Sequence, residues 1–210
     1  MCGRVVAKQG TDRRAVILRA AGQLFLAHGF SGVSMEDVQS AVGGSKSTLY
    51  RHFADKADLF QSAVEALLDE KSVPLRSFTP VDPDVAVTLK ALGRHFANVV
   101  LDPVSIALHR LVTGEAARVP GLGQAFFEHG PAVGQAVLGQ CLQAASDSGV
   151  IRVGDARDAA AQLYQAMLGD LQMRLLTNSP LRPTPAEVER SVDTAVEVFL
   201  NGTLIRPTSR

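Results

Sequence analysis

Residues 34–56 read SMEDVQSAVGGSKSTLYRHFADK, and the order of residue types in this stretch decides the fold. Ser34 is placed to cap a helix, and Glu36 and Asp37 put acid in its first turn, where the helix dipole favours it. Val38, Ala41 and Val42 recur at i, i+3, i+4, giving that helix one apolar face. Gly43 and Gly44 break it. Ser45 caps a second helix whose turns cover residues 46–53. There Leu49 and Phe53 stand four apart and face inward together, leaving Lys46, Ser47, Thr48, Tyr50, Arg51 and His52 to point mostly outward. A short helix with a donor-rich outer face, held by a tight turn against a partner helix, is a helix-turn-helix. Its second helix has the dimensions to enter the major groove of DNA.

The same stretch resembles the DNA-binding motif of the TetR family of bacterial transcriptional regulators. The resemblance rests on the run Leu49-Tyr50-Arg51-His52-Phe53, on Lys56 and Leu59 after it, and on Ser34, Val38, Gly43 and Ser45. The chain departs from the family pattern at Gln39 and Val42, where the family usually has Ala. It departs again at Gly44, usually a branched apolar residue, and at Ser47, often Gly or Ala. Gly44 is expected to loosen the turn. The resemblance fades near residue 70; beyond it only the family's general layout is recognisable. It implies an all-α fold, with a three-helix DNA-binding domain followed by a larger helical domain for ligand binding and dimerisation. It also implies a cytoplasmic regulator, a repressor that binds palindromic double-stranded operator DNA as a homodimer and is released by a small effector, with no cofactor and no metal.

Tyr50, His52 and Lys56 resemble the family's phosphate-contacting residues. A phenol, an imidazole and an ammonium on one edge can each donate to phosphate oxygens. Lys46, Ser47 and Thr48 occupy the first turn of the second helix, which reaches base edges first. Lys46 suits guanine O6/N7 and the Thr48 methyl suits thymine; two of these three are expected to read sequence. With Ser34, Ser45 and Arg51 they complete the expected DNA-contacting set.

Charge distribution agrees. The chain has 210 residues and zero formal net charge, so its total charge does not advertise nucleic-acid binding. Residues 1–56, however, hold eight Lys/Arg against four Asp/Glu, a balance of +4, and the remainder holds 13 against 17, a balance of −4. The basic end carries the motif, as a phosphate-binding surface requires. At 46% hydrophobic, with no Trp, the core must come from Leu, Val and Ala, which suits packed helices. Cys2 and Cys141 form no disulfide framework and lack metal-ligand spacing, which fits a reducing compartment. No stretch approaches the roughly 18 apolar residues of a membrane span.

Residues 1–10 read as a flexible arm. Thr11 caps a first helix running to about residue 28, buried through Ile17, Ala21, Leu24 and Phe25 and stopped by Gly29, with Phe30 folding back on Phe25. Arg13, Arg14 and Arg19 lie off that stripe, and at least two of them are expected on a solvated face. Asp55 and Asp58 open a fourth helix to about residue 71, so the DNA-binding domain covers 11–71, with the helix-turn-helix at 34–53. Pro74, Pro80 and Pro83 make 72–83 a linker. A ligand-binding and dimerisation domain follows over 84–203, then a tail over 204–210. Its helices open at Asp82-Pro83 and Asp102-Pro103, each with proline in the first turn. Others cover 122–146, interrupted at Gly130-Pro131, and 155–177. The last opens at the capping box Thr184–Glu187 and ends at Asn201-Gly202. About nine helices are expected in all.

The second half scatters polar groups through apolar helices, which a ligand cavity requires. His95, His109, Arg110, Thr113 and Tyr164 are the candidate polar contacts; Phe96, Val99, Phe126, Phe127 and Met167 are the candidate walls. A largely apolar small molecule fits that lining. Leu163, Leu168, Leu171 and Leu175, with Val188, Val192, Val196 and Phe199, form apolar stripes on the last two long helices and are the candidate dimer face. An enzyme is the competing class, its best case a cluster of His95, His109, Glu115, Glu128 and His129, but neither the spacing nor any nucleophile or phosphate-loop motif supports it. A DNA-binding protein without effector is the other alternative, and the length after the linker argues against it.

Overall fold

The structure, a computed structural model, describes residues 13–80 and 82–203. The expected arm over 1–10, the Thr11 cap, Cys2 and the tail over 204–210 lie outside the described residues. Eleven helices occur among them, α1 (Arg13–His28), α2 (Met35–Val42), α3 (Lys46–His52), α4 (Lys56–Arg76), α5 (Val85–Val100), α6 (Pro103–Glu115), α7 (Leu122–His129), α8 (Pro131–Asp147), α9 (Ala156–Leu168), α10 (Leu171–Leu176) and α11 (Pro185–Thr203). The chain divides into two compact units, residues Met1–Leu67 and Leu68–Arg210.

In the first unit, α1 to α3 and the start of α4 enclose one core of Ile17, Phe25, Val38, Leu49, Phe53, Leu59 and Phe60. Gly29, at φ 72°, ends α1, and its N–H bonds the Phe25 carbonyl. That returns Phe30 to within 6.2 Å of the Phe25 ring and 5.0 Å of Phe60, while Phe25 and Phe60 meet edge-on at 4.8 Å. Rings at these spacings gain their quadrupole attraction beyond simple area burial.

In the second unit, α5, α8, α9 and α11 share a core built on Leu89, Leu92, Phe96, Leu138, Leu142, Leu163, Met167, Val192 and Val196. Four features differ from the sequence expectations. Helix α4 does not stop near Lys71 but continues through Pro74 to Arg76, so the two units divide inside a helix rather than in the proline-rich stretch. Pro74 removes one bond to the carbonyl of Glu70, and both residues are exposed, so water can replace it; Leu75, one residue on, is buried in the second core. Helix α5 starts two residues late, because Asp84 rather than Asp82 caps it through the Ala86 N–H at 2.7 Å. The expected helix over 155–177 is two, broken at Gly169, whose φ of 51° ends α9 before Asp170 starts α10. With the break at Gly130-Pro131 this makes eleven helices of nine. Helix α11 runs past Asn201-Gly202 to Thr203.

Candidate functional site

The helix-turn-helix is built by its caps. Ser34 and Asp37 form a reciprocal capping box at α2, the Ser34 hydroxyl accepting from the Asp37 N–H at 3.1 Å and the Asp37 carboxylate from the Ser34 N–H at 2.8 Å. The Ser34 hydrogen bonds hold the Asp37 carboxyl below its ordinary value. Ser45 caps α3 by accepting from the Thr48 N–H. The hydroxyls of Ser34 and Ser45 are thus spent on holding helices.

The turn between them is not loose. Its two glycines adopt φ of 68° and 92°, a region that costs other residues strain, and two side chains close it. The Arg13 guanidinium donates to the Gly43 carbonyl, and the Gln39 amide donates to the Gly44 carbonyl at 3.2 Å. A Cβ at Gly44 would lie 2.8 Å from the Arg13 Nη2. Gln39 and Gly44, two positions where the chain departs from the family pattern, are therefore joined in one polar clamp. Arg14 is occupied as well, 5.3 Å over the Phe53 ring and bonded to Ser62 at 3.2 Å. At least two of Arg13, Arg14 and Arg19 are expected on a solvated face; Arg14 and Arg19 are exposed and Arg13 is half-buried, with Arg13 and Arg14 also bracing the unit.

Leu49 and Phe53 are buried, and Lys46, Ser47, Tyr50 and Arg51 are exposed along α3, with Thr48 half-buried. Lys46 pairs with Glu36 of α2 at 2.5 Å, a contact that raises the ammonium pKa and lowers that of the carboxyl. Both groups are more than half exposed, so the pair is weak and readily exchanged. His52 departs from expectation: its Nε2 is buried without a hydrogen-bond partner, so only the other edge of the ring is free to donate. Lys56 departs further. Its ammonium donates to the Phe30 and Val33 carbonyls at 2.9 Å each and lies 4.3 Å from the Phe30 ring. It closes the α1–α2 turn and retains one donor of three.

The second unit contains a cavity of about 130 Å³ lined by Leu68, Lys71, Ser72 and Leu75 of α4 and by residues of α5 to α10. Of the candidate ligand residues it brings together Val99, His109, Phe126 and Tyr164. Tyr164 is 5% exposed, and burial pushes its phenol up to about 12. Burial also lowers the His109 pKa; Gln172 lies 3.4 Å from its Nδ1 and the Phe126 ring 5.1 Å away. Lys71 meets Asp102 at 2.6 Å.

The other candidates are placed elsewhere. His95 is exposed, with its ring against Phe78 at 5.6 Å. Arg110 binds the carbonyls of Leu175 and Leu176 and the Asn178 side chain, ending α10, the usual work of a cation at a helix C-terminus. Thr113 and Phe127 face outward. Phe96 and Met167 are core residues, Phe96 meeting the Tyr164 ring edge-on at 5.5 Å. The α4 wall is not among the residues expected from the sequence, although Leu68, Lys71, Ser72 and Leu75 recur at i, i+3, i+4, i+7; a helix that ends before Pro74 does not show the pattern. Gly134 and Gln172 carried no sequence signal.

The proposed dimer stripe turns inward within the chain. Leu163, Leu168, Leu171, Val192 and Val196 are all buried in the second unit, and Leu175, Val188 and Phe199 are partly buried. The large apolar residues that α10 and α11 leave exposed are Met173 and Val198. Among the described residues, no group of three or more His, Cys, Asp or Glu is arranged to hold a metal, and no helix is long and apolar enough to cross a membrane.

The model of bacterial regulatory proteins of the tetR family matches residues 17–63, and that of the AefR-like transcriptional repressor C-terminal domain matches residues 87–202. A TetR-family transcriptional regulator from Mesorhizobium loti is 29% identical with a TM-score of 0.79, over 94% of this chain and all of that one. The flavonoid-responsive regulator FrrA is 29% identical with a TM-score of 0.76, over 93% of this chain and 98% of its own. Among curated relatives, the HTH-type transcriptional regulator YezE of Bacillus subtilis is 24% identical over 50% of this chain and 55% of its own length. The chain thus spans about half the length of that relative, and 41% of the HTH-type transcriptional activator FasR of Mycolicibacterium smegmatis, which is 26% identical over 42% of this chain. With models matched in both units, one of them over more than half of the chain, this protein belongs to the TetR family of bacterial transcriptional regulators.

Proposed function

We propose that this protein is a ligand-responsive repressor that binds a palindromic operator as a homodimer. The observation that carries the reading is α4. The helix begins at Lys56, directly after α3, and further along supplies Leu68, Lys71, Ser72 and Leu75 to the cavity. A ligand that shifts α4 alters the spacing of two recognition helices in a dimer, and both must meet the groove in register. Release by ~100-fold corresponds to about 2.7 kcal/mol of coupling, and by reciprocity operator DNA weakens ligand binding by the same factor. The likeness to FrrA supports a small-molecule response.

Two of Lys46, Ser47 and Thr48 read bases, and Tyr50, Arg51 and the free edge of His52 hold phosphate. Lys56 adds at most one donor. Two copies join through the outer faces of α10 and α11, where an open groove is lined by Ala166, Arg174, Ser191, Thr194 and Val198.

Selection of bound duplexes from a random pool tests the reading. The expected product is a two-fold palindrome with half-sites about one helical turn apart, or a multiple of it. Recovery of sequences without a shared palindrome would sink the proposal, as would light scattering showing a monomer at micromolar concentration. Val198→Glu should produce monomers and weaken operator binding.

A further inference from the structure

We infer that the cavity takes an uncharged, single-ring aromatic molecule carrying a hydrogen-bonding oxygen, a phenol or an aryl ketone; the inference rests on the second unit being the effector module. Size sets the ring count. At about 130 Å³ the cavity is comparable to the ~150 Å³ engineered cavity that holds one benzene. Three fused or linked rings do not fit without opening it. The walls set the aromatic character, with Leu68, Leu75, Val99, Val100 and the Phe126 ring around the space.

The polar groups set the functional group. Tyr164 lines the cavity; its side chain is almost wholly buried, and no hydrogen bond is made by its hydroxyl among the described residues. A hydroxyl without a protein partner is available to bond a ligand oxygen. The phenol stays protonated at neutral pH and donates. His109 supplies a second donor. With Gln172 donating to Nδ1, the ring proton resides on Nε2. Two donors in an apolar cavity match an acceptor oxygen on the ring.

Charge sets the exclusion. Lys71 is the one Lys or Arg lining the cavity, and it is held by Asp102 at 2.6 Å. A carboxylate ligand would have to share that one ammonium with Asp102, which places two carboxylates on a single cation in a partly buried site. The space also depends on Gly134, where a Cβ would come within 3.1 Å of Phe96 and 3.2 Å of Tyr164.

Calorimetric titration of the full chain with 4-hydroxyacetophenone, 4-hydroxybenzoate and ethylbenzene tests this. The ketone should bind about tenfold tighter than either of the others. Tyr164→Phe should weaken the ketone by about tenfold and leave ethylbenzene unchanged, which a general loosening of the fold would not do. Tighter binding of the benzoate, an equal loss for both neutral probes in Tyr164→Phe, or no binding of any probe at millimolar concentration overturns the inference. Repeating the titration with operator DNA separates it from the regulatory reading. Ketone binding that leaves operator affinity unchanged would keep the ligand class and remove the effector role, and release by a charged ligand alone would do the reverse.

Discussion

Seven consecutive residues form α3 and carry most of the groups assigned to DNA, whereas seven helices, α4 to α10, contribute walls to the cavity. In the first region each outward side chain is placed by helix periodicity and by a cap a few residues away. In the second, no two neighbouring helices would make a cavity by themselves. The difference teaches where polar groups can remain uncommitted. On α3 most of them face water and cost nothing while waiting for a partner, the buried Nε2 of His52 being the exception. In the cavity an uncommitted group such as the Tyr164 hydroxyl is held by surrounding packing, and that packing limits what can satisfy it.

The largest expected effect separates the regions outright. Phe60 is fully buried between Phe25 and Phe30, and Phe60→Ala should cost about 3–5 kcal/mol. Operator binding should be lost while ligand titration of the cavity changes little. Parallel loss of both would mean the two regions unfold as one, and the comparison would break. Next comes Lys56. Removing its charge-assisted bonds to two carbonyls should cost about 1.5–3 kcal/mol, so Lys56→Ala should lower both Tm and operator affinity. Arg51→Ala, by contrast, should reduce the salt slope of binding by about 0.9 at unchanged Tm. An unchanged Tm in Lys56→Ala would remove its bracing role and restore it as a plain phosphate contact.

A smaller effect is expected at the turn. Gly44→Ala should cost about 1–2 kcal/mol for its left-handed backbone, and more if the Arg13 guanidinium cannot move. A double-mutant cycle with Arg13→Ala isolates that second part; a coupling of zero would show that Arg13 does not close over Gly44. The smallest effect belongs to the second unit. The Thr184 backbone N–H, helped by Arg174 and the Thr184 hydroxyl, holds the Glu187 carboxyl down to about 2, against an ordinary 4.5. Its folded pKa is depressed, so the stability it contributes is fully present above 4.5 and lost as pH falls through about 2. The Tm difference between wild type and Glu187→Gln should therefore close across that window. A gap independent of pH would rule out the carboxylate as its source.

The first unit was legible from its residues because its determinants are local. Ser34 with Asp37, Ser45 with Thr48, and Gly29 returning Phe30 to Phe25 act within a helical turn or two, and spacing alone identifies them. Arg13 and Gly43 are 30 positions apart, and no periodicity connects a guanidinium to that carbonyl, so the clamp that tightens a two-glycine turn was visible only in three dimensions. The second unit shows the same limit more broadly. Its sequence determined that Leu163, Leu168, Val192 and Val196 form apolar stripes, since a helix with such a face must bury it. It did not determine against what. Tertiary packing turned those stripes into the core of their own chain and left Met173 and Val198 outside. It carried α4 past an exposed proline and used Arg110 to end a helix rather than to hold a ligand. Amphipathicity specifies that a surface is covered; which surface covers it depends on the arrangement of every helix at once.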